Sequence, residues 1–127
     1  MKIEVGEYVR LKNGLIGQFY NIEEGYDGNT QVNFEEFGYE YEDIEQFYED
    51  IKVHSKIISE IVEVGDYVNG YKVISIDYDV IDDKTECIEL DLNNNYQYNF
   101  ISARQIKTIL TKEQFSSIEY KVESEEK

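Results

Sequence analysis

The pentapeptide Val5-Gly6-Glu7-Tyr8-Val9 returns as Val64-Gly65-Asp66-Tyr67-Val68, an offset of 59 residues between Val5 and Val64. A fold built on such an echo has to place two similar units side by side. Each unit is near the size at which a core becomes marginal, so the two halves must lean on one another. The echo extends beyond the pentapeptide. Asn13-Gly14 and Asn69-Gly70 each supply a turn that tolerates positive φ, and each precedes an apolar segment, Leu15 to Ile22 and Tyr71 to Ile76. Strand-like runs follow at Thr30 to Phe34 and Glu86 to Leu92. Alternating tyrosine segments come next, Phe37 to Tyr41 and Tyr96 to Phe100, and each half then closes on an isoleucine, Ile44 or Ile106. With 41% hydrophobic residues the chain can build a core, which argues against disorder.

This order of Gly-acid-Tyr-Val, glycine turn, strand, loop, two strands and short turn resembles the SH3-like small barrels, including modules of translation and transcription factors. The expected fold is therefore mainly β, a β-rich α+β chain of two tandem SH3-like small barrels or half-barrels joined by a short acidic helix. The helix is read from Glu42 to Ile51, where Ile44, Phe47, Tyr48 and Ile51 fall at helical spacing and nearly every other position is acidic. Acids in its first turn suit the helix dipole, whereas Glu49 and Asp50 at its end oppose it. The expected units are 1–50, a connecting segment 51–61 that is a linker or a second short helix, and 62–127. Near the end, Thr111 and Gln114 make a capping box for a short helix. A last strand is expected over Ser117 to Val122.

The charge excludes several classes of function. There are 28 acidic residues against 12 lysines and arginines, a formal net charge of -16. Such a surface repels nucleic acid and anionic lipid, and its natural use is fast capture of a basic partner. Many SH3-like barrels bind nucleic acid through basic loops, but Arg10 and Lys12 are the only basic residues between Glu4 and Ile51. The start, Met1-Lys2-Ile3-Glu4, lacks the apolar core of a signal peptide, and no apolar run is long enough to span a bilayer. A cytoplasmic protein is expected.

Catalytic chemistry finds no foothold. Cys87 has no partner for an internal disulfide and reads as a packed strand residue. His54 has no triad pattern around it. Asp77 to Asp83 opens like a calcium loop with acids at positions one and three, then fails, with Asp82 in place of the glycine and Ile88 at the twelfth position. There is no phosphate-cradling loop, zinc spacing or dinucleotide fingerprint. Carboxylate pairs for acid and base work are too many for any one to stand out. The expected protein is not an enzyme and holds no cofactor or metal.

From Asn13 to Ile51 lie eleven acids and no lysine or arginine. Residues 1–50 hold 13 acids against 3 bases, and residues 51–127 hold 15 against 9, so the first half is the more polarised. A row of carboxylates can occupy a cleft shaped for phosphates and accept paired hydrogen bonds from arginine. Interleaved tyrosines add flat contact area. Within it, Glu40-Tyr41-Glu42-Asp43-Ile44-Glu45-Gln46-Phe47-Tyr48-Glu49-Asp50 resembles the acidic segment of a prophage anti-CRISPR family that blocks Cas9 by mimicking the DNA bearing the protospacer-adjacent motif. The shared pattern is E-Y-E-D-x-E-x-F-Y-x-D, with Ile44 and Gln46 where that inhibitor carries acids. The resemblance implies that Tyr41, Glu42, Asp43 and Glu45 meet the arginines that read the motif. The stretch from His54-Ser55-Lys56 to Gln114-Phe115 is similar to small phage and prophage proteins of Firmicutes.

The expectation is thus a non-enzymatic anti-CRISPR inhibitor acting in a bacterial host during phage infection. Its partner is a Cas9-type CRISPR effector nuclease, free or guide-loaded, with no direct nucleic acid or membrane contact and a monomeric or weakly dimeric state. The expected contact residues are Glu35, Glu36, Tyr39, Glu40, Tyr41, Glu42, Asp43, Glu45, Glu49 and Asp50. The alternatives are a phage accessory module that engages another host nucleic-acid-binding protein, and a carboxylate-based metal-dependent hydrolase.

Overall fold

In the computed structural model, the described residues are 2–25, 27–77, 88–92 and 99–118. They form a mainly β protein of two five-stranded antiparallel sheets. In the first half, β1 (Tyr8–Leu11), β2 (Ile16–Glu24), β3 (Thr30–Phe34) and β4 (Gly38–Tyr41) make a meander. After α1 (Ile44–Asp50), β5 (Ile51–Ser55) returns to the free side of β1, giving the order β4-β3-β2-β1-β5. A 3₁₀ turn, Ile58–Ile61, leads into the second half. There β6 (Tyr67–Val68), β7 (Tyr71–Ile76), β8 (Ile88–Leu90) and β9 (Phe100–Ile101) repeat the meander. The 3₁₀ turn Ala103–Gln105 then carries the chain to β10 (Ile109–Leu110), which pairs with β6. The helix α2 (Lys112–Ile118) follows. The strand order of the second sheet, β10-β6-β7-β8-β9, matches the first element for element.

The echoed pentapeptides occupy equivalent turns. Gly6 and Gly65 sit at φ of 95° and 100°, a region open to glycine at little cost. The Glu7 N–H donates to Glu4 O (3.1 Å) and the Asp66 N–H to Glu63 O (3.0 Å). The Glu7 and Asp66 carboxylates then accept the N–H groups of Glu4 (2.9 Å) and Glu63 (2.7 Å). The repeat is a structural one, down to the capped turn that launches each sheet.

Several expectations are corrected. The expected mainly β, α+β class holds, but neither sheet closes into a barrel among the described residues. The acidic helix does not join the halves: α1 connects β4 to β5 inside the first sheet, where the second has its 3₁₀ turn. Residues 51–55, expected in a connecting segment, form β5, because β1 has a second edge to pair and Ile51 drops into the first core. The last strand expected from Ser117 begins instead as helix, with Ser117 and Ile118 ending α2; the rest of that segment lies outside the described residues. So do Cys87, residues 78–83 of the calcium-like loop, Glu86 and Tyr96 to Tyr98. The Thr111 capping box is present, its Oγ1 accepting from the Gln114 N–H (3.2 Å) while Gln114 Oε1 accepts from the Thr111 N–H (3.1 Å).

Each sheet has its own core. The first gathers Val9, Leu11, Phe19, Val32, Phe34, Tyr41, Phe47 and Ile51, and the second Val62, Val68, Val73, Ile88 and Leu90. The strand period of two decides what lies between them. On β1, Val9 and Leu11 point into the first core, so Arg10 points the other way, into the seam, where it is fully buried. Its Nη1 donates to Asp66 Oδ2 (2.6 Å) and to Ile61 O (2.9 Å), and its Nη2 to Asp66 Oδ1 (2.9 Å) and Glu113 Oε1 (2.6 Å). Asp66, also fully buried, further accepts the N–H groups of Glu63 and Lys112. Around this pair, Lys52 Nζ bridges Glu63 (2.9 Å) and Glu113 (2.6 Å), and Lys112 Nζ reaches Glu63 (2.9 Å). Three cations thus meet three anions. Beside the hub, Thr111 Oγ1 donates to Gly14 O (3.0 Å). Gly14 is at φ of 95°, and a Cβ there would overlap Thr111.

Removing one member of a buried pair strands the other charge. Arg10→Ala is expected to destabilise the chain by about 3–5 kcal/mol, measured by urea unfolding, and Arg10→Lys recovers only part because it lacks the two-pronged fork. An Arg10→Ala variant within 1 kcal/mol of the parent, on the order of a surface substitution, would refute the seam as the organising contact.

The hub also sets a pH dependence. Burial pushes the Glu113 carboxyl up, but hydrogen bonds from Lys52 and Arg10 outweigh it and lower its pKa to about 2. A folded value below the unfolded one means stability that is present above the ordinary carboxylate range and lost as pH falls toward 2. Protonation of the unpaired surface acids relieves self-repulsion over the same range, so the difference between variants isolates the hub. The stability gap between parent and Glu113→Gln is expected to be wide at pH 6 and to shrink at pH 3. An unchanged gap would remove Glu113 from the account.

Candidate acidic interface

The structure disperses the ten expected contact residues into three settings. Glu35 and Glu36 form the turn between β3 and β4, at the far end of β4 from α1. Four strand residues, roughly 13 Å of chain, separate the two ends. Both are exposed, and Glu36 Oε1 accepts the Gln18 N–H (2.9 Å). Glu36 borders a cleft of about 440 Å³ between the halves, walled by Tyr8, Ile16, Ile58, Ile106 and Ile109.

Tyr41 and Asp50 belong to the fold. Tyr41 is 6% exposed, and its hydroxyl donates to Asp50 Oδ2 (2.8 Å), tying the end of β4 to the end of α1. Burial first, and then this bond, push the phenol far above its usual pKa. Tyr39 and Tyr41, two apart on the strand, stack with centroids 5.1 Å apart, and Tyr41 leans on Phe47 at 5.3 Å. Tyr41 as a free contact surface is therefore corrected: its ring is core, and only Tyr39 of the two is part-exposed. Tyr48 likewise packs against Phe47 (5.7 Å). Asp43 caps α1, its Oδ1 accepting the Gln46 N–H (2.8 Å), while Gln46 Oε1 accepts the Glu42 N–H (2.8 Å).

The remaining acids face solvent. Glu40 is held by Asn29 Nδ2 (2.9 Å). Glu35, Glu42, Glu45 and Glu49 are exposed and form no ion pair among the described residues. The α1 stripe of Ile44, Phe47 and Tyr48 turns inward, as its spacing predicts, which leaves Glu45 and Glu49 outward. Beside them lies a groove of about 490 Å³ between β4 and α1, lined by Tyr39, Glu40, Gln46, Glu49 and Lys12 among others. Lys12 is the residue that sequence reasoning did not place there. Its N–H donates to Asp50 O (2.9 Å), which anchors it at this end of the sheet.

The seam shapes this face by removing cations. Arg10, one of the two basic residues between Glu4 and Ile51, is spent internally, and Lys52 and Lys112 pair inside the hub. His54, half-buried on β5, sets Nδ1 2.6 Å from Glu7 Oε1, and Glu7 is held below the usual carboxylate range by that hydrogen bond and by the Glu4 N–H, against burial. That ring is engaged in the first turn. Among the described residues, no three His, Cys, Asp or Glu side chains converge to hold a metal ion, and no helix is long and apolar enough to cross a membrane.

The geometry defines a small mainly β protein whose α1 region carries exposed carboxylates that form no ion pair among the described residues. No protein-family model, no curated protein and no solved structure matches the chain.

The Tyr41–Asp50 bond makes a quantitative claim. Tyr41→Phe is expected to cost about 0.5–1.5 kcal/mol in urea unfolding while leaving the far-ultraviolet circular dichroism unchanged. No loss of stability would show that the hydroxyl is not tying β4 to α1.

Proposed function

We propose that this protein is a stoichiometric, non-enzymatic inhibitor that uses its acidic face to occupy a positively charged nucleic-acid channel of a partner, a CRISPR effector nuclease of the Cas9 type. The observation that carries the reading is the set of outward carboxylates Glu42, Glu45 and Glu49 on and before α1, none of them in an ion pair among the described residues. Self-repulsion on such a face opposes folding, and a basic channel relieves it. The resemblance of Glu40 to Asp50 to the acidic segment of the Cas9-blocking inhibitors supplies the partner class. Within that segment the buried Tyr41 and the capping Asp43 hold the presentation in place, and Glu42, Glu45 and Glu49 make the contacts with arginine. A second reading, a phage accessory module that engages a different host nucleic-acid-binding protein, shares the same surface and differs only in the partner captured.

The test is Cas9 cleavage of a matched DNA target, with the protein added before or after guide loading, at two salt concentrations, alongside a gel shift for DNA binding. Expected are inhibition, lost DNA binding and relief by salt, since screening beyond about 10 Å sets in near 0.1 M. Reversing Glu42, Glu45 and Glu49 to lysine is expected to weaken inhibition by at least about tenfold, ~1.4 kcal/mol, while reversing Glu123, Glu125 and Glu126 is tolerated. Equal loss from both sets would sink the localisation to α1, and no inhibition across several Cas9 orthologues would move the partner to the second reading.

A further inference from the structure

We propose that the outer edge of β4 is a docking site for an extended, arginine-bearing strand of the partner, which adds to the first sheet antiparallel or parallel to β4. The inference rests on the partner being basic and adds the mode of recognition.

The backbone phase of β4 follows from its pairing. The Phe34 N–H donates to Phe37 O (2.8 Å), and Val32↔Tyr39 and Thr30↔Tyr41 fall in the same register. In an antiparallel ladder every second residue turns its N–H and C=O to the neighbour. Tyr39 and Tyr41 therefore address β3, and Gly38 and Glu40 turn theirs outward, where no described strand meets them. Such a row of unpaired groups is a template for another chain. Main-chain bonds supply the affinity in this mode, and pockets beside the edge select alternate side chains.

The chemistry of the occupant is set by charge. Of the other strands that end the two sheets, β5 and β10 carry or adjoin lysines already matched to acids, Lys52 to Glu63 and Glu113, Lys56 to Glu4 and Lys112 to Glu63. The edge of β4 carries Glu40 and runs into Glu42, with Glu49 across the groove of about 490 Å³. That groove, which Lys12 also lines, takes a guanidinium on the carboxylates of Glu40 and Glu49, with the part-exposed Tyr39 ring as one wall. A second copy of this chain brings the same acids to the same edge, so like charge disfavours self-pairing and selects a basic partner.

The probe is an eight-residue peptide alternating arginine and valine, compared with the same peptide N-methylated at every amide, which keeps the charge and loses the donors. Binding of the first, at least tenfold weaker binding of the second, and slowed exchange of the Gly38 and Glu40 amide protons in the complex are the expected results. Gly38→Pro removes an outward N–H without altering charge, and is expected to weaken the first peptide by a similar factor. The exchange measurement on the parent chain carries the test if that variant fails to fold. Equal binding of the two peptides overturns the edge and leaves the charge-based reading standing. Protection confined to other strands overturns it as well. Binding of neither peptide also overturns it, and the cleavage assay with the lysine variants then decides the basic-partner reading separately.

Discussion

The buried pair of Arg10 and Asp66 is the contact on which the rest of the molecule depends. The two small sheets keep separate cores, and a network of hydrogen bonds and ion pairs crosses between them. A lone guanidinium there would be prohibitive. It is tolerated because Asp66 takes both prongs, Ile61 O and Glu113 take further donors, and Asp66 fills its remaining lone pairs with the N–H groups of Glu63 and Lys112. Replacing such a pair with well-packed apolar groups can match it in stability. What the pair adds is register: it fixes which residue of β1 meets which residue of the second half's opening turn.

That same turn shows how a duplicated element takes on different duties. Glu7 and Asp66 both cap their own turns by accepting an N–H three residues back. In the first half the second carboxylate oxygen meets His54 of β5, which stays inside the sheet. In the second half the shorter aspartate meets Arg10 and the start of α2, outside its sheet. One position in the repeat thus closes a module in one copy and joins two modules in the other.

The electrostatics of the surface follow from the seam. By drawing Arg10, Lys52 and Lys112 together, the hub neutralises Glu63, Asp66 and Glu113 and leaves Lys12 as the cation that lines the groove beside α1. Burial of a charge in one place has made a more negative face in another. The face is also stiffer than an acidic run in sequence suggests, since Tyr41 ties β4 to Asp50 and Asp43 caps the helix.

The sequence alone determined most of the elements and their repetition. A strand-like run marked β3 and an apolar segment after a glycine turn marked β7 to the residue, spacing put Phe47 inward on α1, the glycines marked the turns, and Thr111 with Gln114 marked the start of α2. These signals are local, written in periods of two and 3.6 and in cap chemistry within four residues. Only the tertiary structure decided which residues met: β5 paired with β1 although it read as a connector, Tyr41 became core although it read as surface, and Glu36 stood apart from the groove beside α1. The acids near α1 looked alike as a run, and nothing in their order separated the capping Asp43 and the tyrosine-bound Asp50 from the outward Glu45 and Glu49. Arg10 was legible as a rare cation but not as a buried one, because its partners lie 56 and 103 residues away. The cost of burying its charge is met only when the two sheets are already side by side, a condition that no local pattern encodes.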